Sequence, residues 1–276
     1  MALARGFAFS QASLQDYADC PRRFQLRHVL GVRWPTGYDA SNAEWEERAR
    51  QGAAFHRLVH QHVSGLPVEV LSATVHDDAL GQWWQAYLAA PPQDLPTALR
   101  RSEARLSMRV GGLRLVARYD LLAIDPGGCA VIVDWKTSKT RSDRGSLERR
   151  WQTLVYRYVL AEAGTHLNGD TRIAPGQIEL VYWFAAAPAQ VERFAYDDGQ
   201  HLAAGERLSA TIAEIAACEF EEWPLTQNLR HCRYCAYRTL CERDKAAELG
   251  ETVEPDLEDD LFEFDIDLEQ IAEVEF

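Results

Sequence analysis

The sequence predicts an α/β protein with a central mixed sheet flanked by helices, and with further helices at both ends of the chain. Short, β-branched, partly alternating segments separated by glycine- and aspartate-rich turns occupy the middle of the chain. Segments of helical periodicity lie on either side of them, and one such segment, Leu147 to Ala163, stands between strands. With 276 residues, 47% of them apolar, the chain is long enough to bury a sizeable core. A single domain is expected over 1–247, followed by an acidic tail at 248–276.

Each element has its own signal. Ser10 to Gly31 reads as helix interrupted near Cys20-Pro21, with Ser10 or Ser13 as the N-cap. Ser41 to Ser64 is a second helix, stopped by Gly65 and Pro67, and His76 to Ala90 a third, stopped by Pro91-Pro92. Arg105 to Val110, Leu113 to Ile124 and Cys129 to Thr137 are consecutive antiparallel strands joined by Gly111-Gly112 and by Asp125-Pro126-Gly127-Gly128. The helix Leu147 to Ala163 leads to a buried strand, Gln177 to Ala187, with Val191 to Tyr196 paired to it through the turn at Pro188. Helices are expected at Gly199 to Glu222 and Tyr234 to Leu249. Trp83, Trp84, Tyr87 and Leu88 share a helix face and are assigned to the core.

Charge is unevenly spread. The net charge of −13 argues against a nucleic-acid partner, yet the 13 Asp and Glu residues from Glu248 to Phe276 hold all the excess, and residues 1–247 carry 29 acidic and 29 basic side chains. The basic residues are 26 Arg and 3 Lys, a composition suited to bidentate phosphate contact or reflecting a biased genome. The longest apolar run, Leu180 to Ala187, is too short to span a membrane, and no secretory signal stands in the first twenty residues, so a cytoplasmic protein is expected. In the tail, Leu257, Leu261, Phe264, Leu268 and Ile271 step at helical spacing, which allows a protein partner to dock on residues 251–276.

The chemistry concentrates in Asp134-Trp135-Lys136. Side chains alternate along a strand, so Asp134 and Lys136 share a face. Counting back through a Pro126-Gly127-Gly128 turn sets Asp120 opposite Asp134. Two facing carboxylates repel unless a hard divalent cation such as Mg²⁺ or Mn²⁺ lies between them. Such an ion can hold a phosphate and acidify a water, and Lys136 can stabilise the developing charge. An ordinary surface Asp–Lys pair has the same local pattern. Gln152 and Tyr156 lie one turn apart on the following helix, and His56 and His60 share a face of the second helix.

In their order, Cys20-Pro21-Arg22-Arg23-Phe24, Gly52 to His56, Asp120, Asp134-Trp135-Lys136-Thr137 and Gln152 to Tyr156 resemble the RecB-like branch of the PD-(D/E)XK nucleases. The resemblance runs from Ser10 to about Arg243. It implies a restriction-endonuclease-like core, with His56, Asp120, Asp134 and the Trp135 carbonyl as Mg²⁺ or Mn²⁺ ligands, Lys136 catalytic, and Gln152 and Tyr156 supporting the site or touching DNA. Glu103 falls where the family often has an acidic residue. Ala117-Arg118-Tyr119 departs from the glycine that the family usually places before the strand aspartate.

The cysteines form a second constellation. Cys232-x₂-Cys235-x₅-Cys241 supplies three thiolates, and Cys20 fits the fourth position better than Cys218 or Cys129, the last assigned to packing. Four thiolates suit zinc or a [4Fe–4S] cluster. One cysteine before the nuclease core and three after it are similar to the iron–sulfur staple of AddB-type and CRISPR-associated nucleases, which implies that the cluster joins the N- and C-terminal helices. The implied activity is metal-dependent hydrolysis of DNA, as an exonuclease on single-stranded or frayed ends in repair, recombination or defence. A catalytically silent iron–sulfur scaffold subunit of a larger nuclease–helicase complex is the rival.

Overall fold

The computed structural model describes residues 3–4, 6–32, 40–138, 142–219, 221–233 and 235–243, with residues 40–46 described in their backbone only. In chain order the elements are β1 (Ala8–Phe9), α1 (Gln11–Asp19), α2 (Pro21–Phe24), a π-helical turn (Gln25–Val29), α3 (Ala40–Val63), α4 (Val68–Ser72), α5 (Asp78–Ala89), β2 (Leu99–Val110), β3 (Leu113–Ile124) and β4 (Ala130–Lys136). They continue with α6 (Arg144–Arg149), α7 (Trp151–Ala163), β5 (Ile178–Phe184), β6 (Glu192–Ala195) and α8 (Asp198–Ala216).

Local chemistry sets the boundaries. Ser10 caps α1: its hydroxyl accepts from the Ser13 amide at 3.1 Å, and the Ser13 hydroxyl accepts from the Ser10 amide at 2.9 Å. A cap of this kind contributes about 1 kcal/mol. Cys20 then turns the backbone extended, and Pro21 restarts the helix at its first position, where a missing N–H costs nothing. Between β2 and β3, Gly111 and Gly112 have φ of +57° and +84°, as a tight two-residue hairpin requires.

The sheet is mixed and six-stranded. β3 pairs along one edge with β2, from Leu99↔Ile124 to Val110↔Leu113. Its other edge carries β1, parallel at Arg114 and Leu115, and β4, antiparallel from Leu121↔Val133 to Ile124↔Ala130. β5 is parallel to β4 and β6 antiparallel to β5. One face packs on α1, α7 and α8, burying Leu115, Tyr119, Ile132, Val155, Leu160 and Leu208. The opposite face packs on α3 and α5 through Phe55, Trp84, Tyr87, Val133, Trp135 and Trp183. Full burial of such side chains stabilises by about 1.5–3 kcal/mol each.

The expected mixed sheet flanked by helices is therefore present, and the Trp84–Tyr87 face is core. Four expectations differ. Strand β2 begins six residues before Arg105, because the charged run Arg100 to Glu103 masks its alternation. The helix expected over Leu147 to Ala163 breaks at Arg150, whose ψ of 145° separates α6 from α7. Helix α8 stops at Ala216, short of Glu222. In place of the helix expected from Tyr234 to Leu249, residues 236–242 form turns after a 3₁₀ turn at Leu229–Cys232; Tyr234 and 244–249 lie outside the described residues, as does the tail 251–276. No described helix is long and apolar enough to cross a membrane.

Candidate active site

The site grows from an irregularity shared by two strands. Ser102↔Leu121 and Ala104↔Tyr119 are paired, and between them Glu103 has φ of +54°. Leu106, Val110, Leu115, Ala117 and Tyr119 face the α7 side, and so do Leu99, Leu122 and Ile124. The side-chain parity thus switches in both strands at the Glu103–Asp120 position. Ser102 and Glu103, neighbours in sequence, both reach α3. A left-handed non-glycine residue costs about 1–3 kcal/mol, and such strain collects at functional sites.

Helix α3 brings three histidines, two of them occupied structurally. His60 Nδ1 is 2.7 Å from Ser102 Oγ, and His62 Nδ1 is 3.0 Å from Tyr87 Oη. His56 is buried, with Nδ1 3.2 Å from Asp120 Oδ1. His56, Glu103 and Asp120 each offer a ligand atom, and these atoms lie within 4.8 Å of one another. Asp120 Oδ2 accepts from the Trp135 amide at 2.9 Å. Burial would raise the Asp120 carboxyl, but His56, that amide and Lys136 outweigh it and hold the group below its usual value. Arg118 Nε donates to Glu103 Oε2 at 2.7 Å.

Asp134 belongs to a second cluster. The β3–β4 register, extended by one pair from Leu121↔Val133, sets Asp134 opposite Asp120 as expected, but the ladder ends at Leu121↔Val133. The Asp120 carboxylate enters the gap and takes the Trp135 amide, while Asp134 turns towards α7. Its Oδ1 accepts from Gln152 Nε2 at 2.9 Å, and its Oδ2 lies 3.0 Å from Lys136 Nζ. Lys136 is almost wholly buried and its ammonium lies 5.5 Å from the centre of the Tyr182 ring. Gln152 Nε2 also reaches Tyr156 Oη at 3.3 Å, and the Tyr119 hydroxyl donates to the Tyr156 carbonyl at 3.0 Å. The structure thus groups His56, Glu103 and Asp120 beside an Asp134–Lys136 pair.

A nitrogen and carboxylate oxygens converging within 4.8 Å of one another are a donor set that Mg²⁺ or Mn²⁺ accepts. Glu103 enters this set although the motif count centred on Asp134. The Gly111-Gly112 hairpin register alone places it opposite Asp120. Tyr182 and Thr153, whose hydroxyls lie 2.7 Å apart behind Gln152, carried no sequence signal.

The cysteines lie where the two ends of the described chain meet. Gln25 Nε2 donates to the Glu221 carbonyl at 2.7 Å, its Oε1 accepts from the Trp223 amide at 3.0 Å, and Phe24 stacks on Trp223 at 5.4 Å. Cys20 and Cys232 are buried; Cys235 and Cys241 are half-buried. Burial pushes the Cys235 thiol up to about 11 and raises Cys232 and Cys241, and Cys20 adds to the rise at all three. The four thiols therefore share one neighbourhood. Cys218 borders the α7-side core. Cys129, expected to pack, is exposed, because it sits in the turn where Asp125 and Gly128 close the hairpin. After the Asp134–Lys136 strand, Arg144 at the start of α6 pairs with Glu192 at 2.7 Å, and Arg150, between α6 and α7, donates to Ser142 Oγ at 3.2 Å.

A His–Glu–Asp triplet, buried at His56 and Asp120 and half-buried at Glu103, stands beside an Asp–Lys pair where two strands of a mixed sheet part, and it has the composition of a metal-assisted hydrolase site. The profile of the PD-(D/E)XK nuclease superfamily matches residues 8–242, and the chain belongs to that superfamily. Among solved structures, the "Putative exonuclease" from Eubacterium rectale is 12% identical, with 95% of this chain and 93% of that chain covered and a TM-score of 0.52. It shares the fold. The crystal structure of SSO0001 is 16% identical over 90% of both chains, with a TM-score of 0.38. No protein of curated function matches the chain.

Proposed function

We propose that this chain is a metal-dependent deoxyribonuclease of the RecB-like branch, acting on single-stranded or frayed ends in the cytoplasm, in repair, recombination or defence. The observation that carries this reading is the convergence of His56, Glu103 and Asp120 within 4.8 Å, next to the Asp134–Lys136 pair. His56, Glu103 and Asp120 would hold Mg²⁺ or Mn²⁺, with Asp134 and the Trp135 carbonyl, as the family resemblance implies, completing the shell. When bound, the cation supplies Lewis acidity towards the phosphodiester and lowers the pKa of water.

The chain's own groups do the rest. Lys136 presents a desolvated ammonium to negative charge developing on the phosphate, where a low-dielectric setting strengthens its effect. Asp134 fixes the position of that ammonium. Gln152, anchored by Tyr156, fixes Asp134 in turn and is a positioning residue.

Four thiols in one neighbourhood support a cluster joining the chain ends through Cys20, Cys232, Cys235 and Cys241. Zinc bound by four thiolates at about 2.3 Å needs sulfurs roughly 4 Å apart. The resemblance favours a [4Fe–4S] cluster at these four thiols, with zinc as the alternative. The apolar stripe in 251–276 supports a docking role for the tail towards a protein partner.

The test uses full-length protein purified without oxygen, with end-labelled single- and double-stranded DNA, with and without Mn²⁺. Cleavage from single-stranded ends that needs Mn²⁺ and is lost in Asp134→Ala bears the reading out. DNA binding without cleavage would leave a silent scaffold subunit. Brown protein absorbing at about 400 nm, bleached by Cys20→Ser, identifies the cluster; colourless protein with one zinc replaces it.

A further inference from the structure

The outer half of the β2–β3 hairpin carries a face that the active-site chemistry does not use. Arg105 pairs in register with Arg118, and Arg109 with Arg114, with Ser107 and Val116 between them. Residues 104, 106, 108 and 110 of β2 and 113, 115, 117 and 119 of β3 turn towards the α7-side core. The arginines therefore occupy the other face, and Arg105, Arg109 and Arg114 are exposed. The helices α3 and α5 cover that face only further along: Leu121 is the residue of this hairpin within their core.

Two like-charged pairs set directly across neighbouring strands are destabilising. Glu103 answers the repulsion at Arg118, so the exposed pair Arg109–Arg114 at the outer end is the one that calls for a compensating anion. Arg118, at the inner end, donates to Glu103 Oε2 and so touches the His56–Glu103–Asp120 triplet. Arg109, at the outer end, donates to the Gly112 carbonyl at 3.1 Å, beside the hairpin tip. From Arg118 to Arg114 is four residues, about 13 Å along a strand, long enough to meet more than one phosphate of a nucleic-acid strand. Guanidinium groups suit phosphate oxygens because their N–H forks match them in pairs.

We propose that this arginine face is the track along which the sugar–phosphate backbone of a single nucleic-acid strand reaches the metal triplet. The inference rests on the nuclease reading of that triplet and adds the surface that binds substrate away from the scissile bond. The occupant is a phosphodiester backbone, read by charge and not by base sequence.

The experiment compares full-length protein with Arg109→Gln/Arg114→Gln, leaving Arg118 and the triplet intact. Binding of a fluorescein-labelled 20-nucleotide oligothymidine is followed by anisotropy in Ca²⁺ across a salt series. Hydrolysis of bis(p-nitrophenyl) phosphate, too small to reach the track, is followed in Mn²⁺. The track predicts roughly five- to tenfold weaker oligonucleotide binding. It also predicts a salt slope shallower by about 1.4, from two phosphate contacts on a single strand. Hydrolysis of the small diester should be unchanged. The melting temperature without DNA should be unchanged or higher, since like charges are removed. Arg109→Lys/Arg114→Lys keeps the charge and should keep the slope, which separates lost contact from misfolding.

Equal affinity and slope in wild type and the glutamine variant overturn the proposal. It is also overturned if the difference vanishes once residues 244–276 are deleted, because the acidic tail is then the occupant of this face. If wild type hydrolyses neither substrate, the nuclease reading fails, while the salt series still decides whether the face binds a nucleic-acid strand.

Discussion

Asp16 and Asp120 are both buried carboxylates flanked by histidine, and the molecule uses them in opposite ways. Asp16, on α1, is surrounded by Arg23 and Arg27, the latter at 2.9 Å, and His28 at 3.0 Å. Burial would raise its carboxyl, but the two guanidinium groups and the imidazole drive it well below the carboxylate range. Arg23 further bridges to Asp19 at 2.7 Å, so cations match or exceed acids at this point. Asp120 has His56 on one side, with Glu103 in the same ligand group and Asp134 on the neighbouring strand. Against three acids stand Lys136 and Arg118. One buried aspartate is saturated by the chain's own cations, and the other shares a pocket that a divalent cation would complete. Burial and residue type do not tell the two apart; the count of charges around each does.

The largest effect should come from the second site. Asp134→Ala or Lys136→Ala should lower cleavage of labelled DNA by at least about 10²–10³-fold, with melting temperature within a few degrees of wild type. Cleavage at the wild-type rate would remove both residues from the chemistry. Asp16→Asn should do the reverse. Removing one partner of a buried, multiply paired charge costs about 3–5 kcal/mol, so urea unfolding should shift strongly while folded protein keeps its turnover.

The same contrast has a pH signature. A carboxyl held low in the folded state stabilises fully above its unfolded value, about 3.9, and that stability is lost as pH falls through the folded value. Wild type should lose stability below about pH 4, and Asp16→Asn should lose less over the same interval, with Asp120, whose carboxyl is also held low, keeping its own share. A divalent cation should act on the other site alone. Mn²⁺ at a hundred times its dissociation constant should stabilise wild type and Asp16→Asn equally, by about 2.7 kcal/mol, and Asp120→Asn far less. Equal stabilisation of Asp120→Asn would move the ion away from the triplet.

The sequence made these two places unequally legible. Asp134, Lys136, Gln152 and Tyr156 were readable because strand and helix periodicities put them on common faces, and the structure brings them into one hydrogen-bonded cluster. Asp120 was reached by counting through a turn, and the count agrees with the observed register. The direction of its side chain was not readable, because it depends on where β4 leaves β3 and on the shared parity switch with Glu103. A left-handed glutamate inside a strand has no compositional signature. Asp16 has no signature in the sequence: its partners are Arg and His residues in a helical segment whose π turn at Gln25–Val29 brings Arg27 and His28 back onto it. The expected last helix failed because the turns at 236–242 carry no periodicity to detect.

The smallest effect concerns the layer behind Gln152. Tyr182 on β5 is paired in register with Asp134, and its hydroxyl lies 2.7 Å from Thr153 Oγ1 and 3.3 Å from Gln152 Oε1. Thr153 donates its own proton to the Leu147 carbonyl at 2.5 Å, so towards Tyr182 it accepts. The single phenolic proton is thus divided between Thr153 and Gln152, with the shorter contact favoured. Burial raises the Tyr182 hydroxyl above its usual value, so it remains a donor throughout the working pH range. Tyr182→Phe keeps the ring beside Lys136 and removes only this proton. Stability should fall by about 1 kcal/mol, and kcat by a few-fold with KM unchanged, because Gln152 loses one of the groups that orient it towards Asp134. In a Gln152→Ala background the same substitution should leave kcat where it was, since the two act through one path. An undiminished kcat in Tyr182→Phe alone would mean that Asp134 and Tyr156 suffice to orient the amide, and that the β5 layer serves packing only.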